Sequence, residues 1–245
     1  MYYAILGISA LFIGIGFILT EKNAKYLLSG YNTMSEKDRA AFDLKNYVPF
    51  FRKFHFYFGS SYLLIGVGLQ YLYGDSSSGV FMGLYPIVAY GYFIWKSQGF
   101  SKGITSQKWE KAALIILALA FLLVGSLFYR GYQELELSFT SEELVIEGMY
   151  GEIIPATNIK GISLVEEIPA ISLRKNGYSL GSIRKGYYKT KTGKTVKLLL
   201  DSDSKPIIYI EVIDGKNVYY ASRSTSNTQL YQELKQNMHS VSFED

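Results

Sequence analysis

Cysteine is absent from the 245 residues, and histidine occurs only twice, at His55 and His239. Without thiols there are no disulfides, no thiolate metal sites and no cysteine nucleophile, and the redox compartment is left open. Two histidines so far apart give no metal-ligand spacing, so neither a metal nor a cofactor is expected. Other chemistry is missing too. Gly177, Gly181 and Gly186 sit in strand turns rather than between a strand and a helix, where a phosphate loop belongs. Glu142-Glu143 and Glu166-Glu167 are sequence neighbours, which in a strand point to opposite faces and make no acid/base couple. No serine has a nucleophile elbow around it. The expectation is a protein that is not an enzyme.

Charge is missing as well, from four long stretches. Residues 2–20, 54–73, 79–95 and 112–129 contain no Asp, Glu, Lys or Arg and are strongly apolar. Each approaches or reaches the length needed to cross ~30 Å of hydrocarbon at ~1.5 Å per residue. The stretch at 2–20 lacks a basic leader and a small-residue cleavage pattern, so it reads as a retained helix rather than a signal peptide. Aromatics gather at the edges, among them Tyr2, Tyr3, Tyr71, Tyr73, Trp95, Tyr129 and Tyr132, as expected for the headgroup layer. Ion relays need buried ionisable groups, so their absence from these segments argues against an ion-coupled transporter.

The charge that is present is unevenly placed. Twelve basic and six acidic residues precede Gly131, against thirteen basic and fifteen acidic from there on. The surplus clusters beside the apolar runs, which suits membrane flanks and not a nucleic-acid groove. Seven Lys/Arg lie in 21–53 and four in 96–111, whereas the turn at 74–78 has none. Basic loops stay cytoplasmic, which puts both termini on the extracytoplasmic side of a multi-pass cell-membrane protein.

The first basic loop carries a further pattern. Ser29-Gly30 and Asn32 are turn residues, and Ser35 with Asp38 caps a helix from about Glu36 to Asn46 that stops before Pro49. The run Ser29–Gly30–Tyr31–Asn32–Thr33–Met34, placed directly after a first apolar helix, resembles the hallmark of domain-of-unknown-function family 3784. That resemblance spans about Tyr2 to Trp95 and implies a bacterial multi-pass membrane protein, with no activity attached.

After Arg130 the long apolar runs give way to short alternating ones. Strands are expected at 134–139, 144–146, 151–155, 159–165, 171–174, 183–189, 195–200, 207–213 and 218–221, with turns at Asn176-Gly177, 190–194 and Asp214-Gly215. A helix over 225–238 with Leu230, Tyr231 and Leu234 on one face closes the chain. The residues GYSLGSIRKGYYKTKTGKTVKLLL, with IIYIEV and the last helix, resemble a bacterial pleckstrin-homology-like domain. The resemblance implies an antiparallel β-barrel or roll capped by the C-terminal helix, acting as a binding or assembly module. Arg174, Lys175, Arg184, Lys185, Lys189 and Lys191 follow one another there without an intervening acid. They make either a patch for an anionic ligand or partner, or merely solvated hairpin faces.

The fold class expected is therefore membrane α + β, with about four transmembrane helices in residues 1–130 and a β-rich domain in 131–245. The partners expected are membrane lipids and a protein partner or second copy, with no nucleic acid. Three readings follow: a membrane-anchored binding or scaffold protein, an anionic-lipid or envelope sensor, or an accessory subunit of a transport complex.

Overall fold

The computed structural model describes residues 1–28, 30–101 and 107–244. They form two compact units, Met1–Ser126 and Leu127–Asp245.

The first unit is helical. Helix α1 (Tyr2–Ile18) is followed by two short helices, α2 (Ala24–Leu27) and α3 (Glu36–Ala41). Helix α4 (Leu44–Ser97) is broken at Gly74, whose φ of 76° and ψ of −166° lie outside the helical region. Only glycine takes this backbone without strain, and here it reverses the chain. Phe50 stacks on Phe93, Phe54 lies 4.7 Å from Phe93 between centroids, and Tyr62 lies 5.4 Å from Phe81. The two arms of α4 thus run antiparallel, about 45 Å and 34 Å long at ~1.5 Å per residue.

Helix α1 packs along the first arm through small residues. A Cβ on Gly59 would sit 2.5 Å from Ile13 Cγ1 and 2.8 Å from the Ser9 carbonyl, and one on Gly16 would meet His55 Cβ at 3.0 Å. Ser9 and Gly16, like Gly59 and Gly66, are seven residues apart, which keeps them on one helix face and lets the backbones close up. The three helices bury Ile5, Phe58 and Tyr62 in one cluster and Leu19, Ala24, Tyr47, Val48 and Phe93 in another.

Helix α5 (Gln107–Tyr132) differs from these. No residue between Lys111 and Ser126 is buried, although the segment is almost wholly apolar. Among the described residues two helices, Leu44–Phe100 and Lys111–Tyr132, are long and apolar enough to cross a membrane, and α1 is a shorter apolar helix.

One local expectation is corrected. The loop helix ends at Ala41, Phe42 is extended, and a new helix starts at Leu44 with Asp43 accepting from the Asn46 N–H at 3.2 Å. Pro49 therefore does not stop a helix; it sits in the second turn of α4, where it leaves the Lys45 carbonyl without its usual backbone donor.

The second unit holds ten strands: β1 (Glu136–Phe139), β2 (Glu143–Glu147), β3 (Glu152–Pro155), β4 (Ile159–Val165), β5 (Ile171–Leu180), β6 (Ile183–Thr190), β7 (Thr195–Leu200), β8 (Ile207–Val212), β9 (Val218–Ala221) and β10 (Phe243–Glu244). Helix α6 (Asn227–Asn237) precedes the last. The strands make a three-stranded sheet, β1-β2-β3, and a seven-stranded one ordered β10-β4-β8-β9-β7-β6-β5. The expected barrel is not closed: β5 and β10 are free edges, and the β7–β9 and β10–β4 pairs are parallel.

The large sheet is nevertheless curled. β4 and β5 lie five strand spacings apart, about 24 Å if flat. The residues 166–170 that join them reach about 20 Å at full extension. Alternation along each strand then covers both faces. Leu199, Ile208, Ile210, Val218 and Tyr220 pack under the small sheet and under Tyr231, Leu234 and Met238 of the C-terminal segment. Tyr188, Val196, Leu198, Leu200 and Ile207 form the other layer, with Ile168 from the joining loop against it.

A second correction concerns Asn176-Gly177. It makes no hairpin; β5 runs through it with a register shift between Arg174 and Asn176. A Cβ on Gly177 would meet the Lys185 carbonyl at 2.5 Å, so the glycine serves close strand approach. The turn falls at Gly181-Ser182, where Leu180 pairs with Ile183 and Gly181 has φ 60°, the two-residue loop that puts glycine first.

Candidate functional site

A cleft in the helical unit and a polar cluster in the β-unit are the candidate sites. In the helical unit, the arms of α4 leave a cleft of about 740 Å³ lined by Phe50, Phe54, Tyr57, Phe58, Val88, Ala89 and Tyr92. Its inner polar groups satisfy each other: Ser61 Oγ and Tyr85 Oη are 2.7 Å apart, and the Ser61 hydroxyl donates to the Phe58 carbonyl at 3.0 Å. Lys53 and Lys96 stand on the same cleft, each ammonium over a neighbouring ring, Tyr57 at 5.9 Å and Trp95 at 5.4 Å. Among the described residues no carboxylate lines it.

Next to the cleft, His55 is buried among Phe51, Phe54, Tyr90 and Phe93. Its Nδ1 lies 2.8 Å from the Phe51 carbonyl. A carbonyl only accepts, so Nδ1 carries the proton and Nε2 faces the Tyr90 hydroxyl at 3.4 Å. This is a core histidine inside α4.

The resemblance-bearing loop closes the same end of the unit. Gly30 takes φ 89° and accepts the Thr33 hydroxyl at 3.0 Å, while Tyr31 packs on Phe42 at 5.4 Å and Phe42 on Tyr47 at 5.2 Å. Arg39 Nε donates to the Met34 carbonyl at 3.1 Å. Asn32 is exposed, and Ser29 lies outside the described residues. Within the run, Tyr31 packs into the aromatic cluster at the foot of the α4 arms and Gly30 makes the turn.

The other polar cluster lies in the β-unit, where the chain leaves α5. Glu134 Oε1 accepts four hydrogen bonds: from the hydroxyls of Ser222 (2.7 Å) and Ser224 (3.0 Å) and the backbone N–H groups of Arg223 (2.7 Å) and Ser224 (2.8 Å). Burial pushes its pKa up, but these donors outweigh that and hold it below the ordinary carboxylate value. Arg223 reaches back, donating to the Tyr132 carbonyl at 3.1 Å with its guanidinium 4.4 Å over the Tyr132 ring. Asp201 Oδ2 accepts the Leu135 N–H at 2.6 Å, and Tyr220 Oη donates to the Leu135 carbonyl at 2.9 Å. Tyr178 packs flat against Gly131, where any side chain would collide with it.

At the centre of this junction Lys185 and Asp201 form a fully buried ion pair, 2.6 Å apart, and Lys185 also donates to the Gln133 carbonyl. Burial pushes the Lys185 ammonium below its ordinary pKa, against the pull of Asp201. Lys197 is likewise inside, paired with Glu152 at 2.9 Å.

The six basic residues singled out in the sequence are therefore divided. Lys185 is corrected from patch to core: it alternates onto the face of β6 that packs inward, beside Leu199 of β7. Arg184 lies 3.8 Å from Asp203. Arg174, Lys175, Lys189 and Lys191 remain exposed on β5, at the end of β6 and in the turn that follows. The junction itself was missed by sequence reasoning. Its one signal was two lysines set among apolar alternating positions, Lys185 between Ile183 and Tyr187 and Lys197 two residues before Leu199.

Residues 6–101 match the model of a family described as a domain of unknown function (DUF3784). The match spans α1 through the turn after α4 and stops before α5, so it falls on the three-helix bundle. No curated protein and no solved structure matches the chain.

Proposed function

We propose that this chain is a non-enzymatic membrane protein that crosses the bilayer four times and presents its β-unit, fixed to the end of the last span, to a protein partner or a second copy. The observation that carries the reading is the junction. The last turn of α5, Leu127–Tyr132, belongs to the β-unit, and residues 131–135 are held there by Glu134, Arg223, Asp201, Lys185 and Tyr220. The clamp makes the last turn of α5 part of the β-unit's own fold.

The four crossings are α1, the two arms of α4, and α5. In the bundle, Met1 lies 4.0 Å from Asp75 at the Gly74 end, while Asp43 N–H bonds the Phe100 carbonyl at the opposite end. Lys22, Lys25, Lys37, Arg39 and Lys45 all belong to the segments at that opposite end. The basic end is assigned to the cytoplasm, and the β-unit after α5 to the extracytoplasmic side. The unburied apolar surface of α5 supports lipid as its surroundings.

The free edge strand β5 offers the contact surface, with Leu173 59% exposed between Ser172 and Arg174. Exposed backbone edges pair with other chains unless charge deters them, and Arg174 and Lys175 restrict that pairing to suitable partners. A photo-crosslinking residue at Leu173 in the full chain, expressed in cells, tests this. A discrete crosslinked species at one mass supports it; no adduct at Leu173 or at exposed Ile153 and Ile213 contradicts it.

A further inference from the structure

We propose that the cleft between the α4 arms holds an anionic lipid, its chain against Phe54, Phe58 and Tyr92 and its headgroup between Lys53 and Lys96. This goes beyond the role of the β-unit and rests only on the hairpin lying in the bilayer.

Three features of the cleft select that occupant. Its volume of about 740 Å³ lies within the ~300–1,000 Å³ of ordinary ligand pockets. Its deep end presents no unmet polar group, because Ser61 and Tyr85 satisfy one another. Hydrocarbon meets nothing there that it would leave unpaired; a polar ligand would find nothing to bind. At the other end the charge is all of one sign. Lys96 lies one turn beyond Phe93, and Lys53 one residue before Phe54, the two rings in contact at 4.7 Å. Both lysines therefore stand at the basic end of the hairpin, and neither meets a carboxylate among the described residues.

A helix from another chain would need acids to meet this pair, and a neutral lipid would leave it uncompensated. A single phosphate at the level of the headgroups answers both lysines while its chain fills the aromatic wall. Lysine near a negative lipid surface contributes ~1 kcal/mol, and two converging on one headgroup turn that general attraction into a site.

Trp95 beside Lys96 supplies the probe. In the full chain with Trp109→Phe, reconstituted in vesicles, quenching of Trp95 is compared for brominated phosphatidylglycerol and brominated phosphatidylcholine. Each variant is referenced to its own emission in unbrominated lipid. The anionic lipid is expected to be preferred, and Lys53→Gln or Lys96→Gln each to lower that preference about fivefold, the two together about 25-fold. Arg52→Gln is the control: Arg52 is exposed one residue away, its guanidinium over Phe17 at 5.5 Å and outside the cleft, and it should change the preference less than either lysine substitution. Equal quenching by the two lipids, or a preference that survives Lys53→Gln/Lys96→Gln, overturns the proposal. No quenching by either lipid takes Trp95 out of the bilayer and refutes the membrane reading itself.

Discussion

Replacing Lys185 by methionine should loosen the β-unit more than any other single change at the junction. The side chain is wholly buried, its ammonium 2.6 Å from Asp201 and bonded to the Gln133 carbonyl. In Lys185→Met the Asp201 carboxylate stays buried, still accepting from the Leu135 backbone N–H. Removing one partner of a buried pair costs about 3–5 kcal/mol, because an uncompensated charge remains. At ~1.4 kcal/mol per tenfold, amide exchange in β6, β7 and at Leu135 should quicken about 10²- to 10⁴-fold in the full chain in detergent. Lys185→Met/Asp201→Asn removes the charge while an amide oxygen still accepts from Leu135. It should recover all but ~1–2 kcal/mol. If exchange in Lys185→Met matched that of the unaltered protein, or if the double variant were worse than the single, the clamp would not be what holds the junction.

Three further outcomes follow from other contacts. Gly59→Val should separate α1 from α4, because its Cβ meets Ile13 and the Ser9 carbonyl; a crosslink between cysteines placed at Phe12 and Phe58, whose rings are 4.2 Å apart, should form in the parent and fail in the variant. Glu134 has a folded-state pKa below its ordinary 4.5, so its contribution is present above that pH and is lost as pH falls through the depressed value. Glu134→Gln keeps the single accepting oxygen without the charge, so an acid titration of exchange at 222–224 should show a shallower loss below pH ~4.5 than the parent. Leu234→Ala, at a fully buried position of α6, should cost about 2–5 kcal/mol by thermal melting.

Much of the helical unit was legible because its signals are local. The uncharged runs at 54–73, 79–95 and 112–129 fall inside the two α4 arms and α5, and the run at 2–20 overshoots α1 by two residues; the other boundaries are off where amphipathic turns extend the helices. The first arm begins at Leu44 instead of Phe54 because Asp43 caps it and Lys45, Arg52 and Lys53 lie on its exposed face. The packing of α1 against Gly59 was not legible: a glycine reads the same whether it is a contact or a gap. In the β-unit, alternation located most strands, yet their order depends on pairings between distant residues. Val218–Ala221 slips between β8 and β7, and no local pattern signals that. Within the basic run, Lys185 misled for the same reason. Period-two alternation sends Lys185 and Lys197 inward, where only Asp201 and Glu152, remote in sequence, make burial tolerable.

The central claim is that the helical hairpin and α5 cross the bilayer and leave the β-unit opposite the basic loops. Because the chain has no cysteine, single cysteines at Lys37, Ser77 and Lys216 can be tested with a membrane-impermeant maleimide on intact cells. Labelling at Ser77 and Lys216 with protection at Lys37 is the expected result. Equal labelling at Lys37 and Ser77 would mean the hairpin does not span, and protection at Lys216 would put the β-unit on the cytoplasmic side; either would contradict the account.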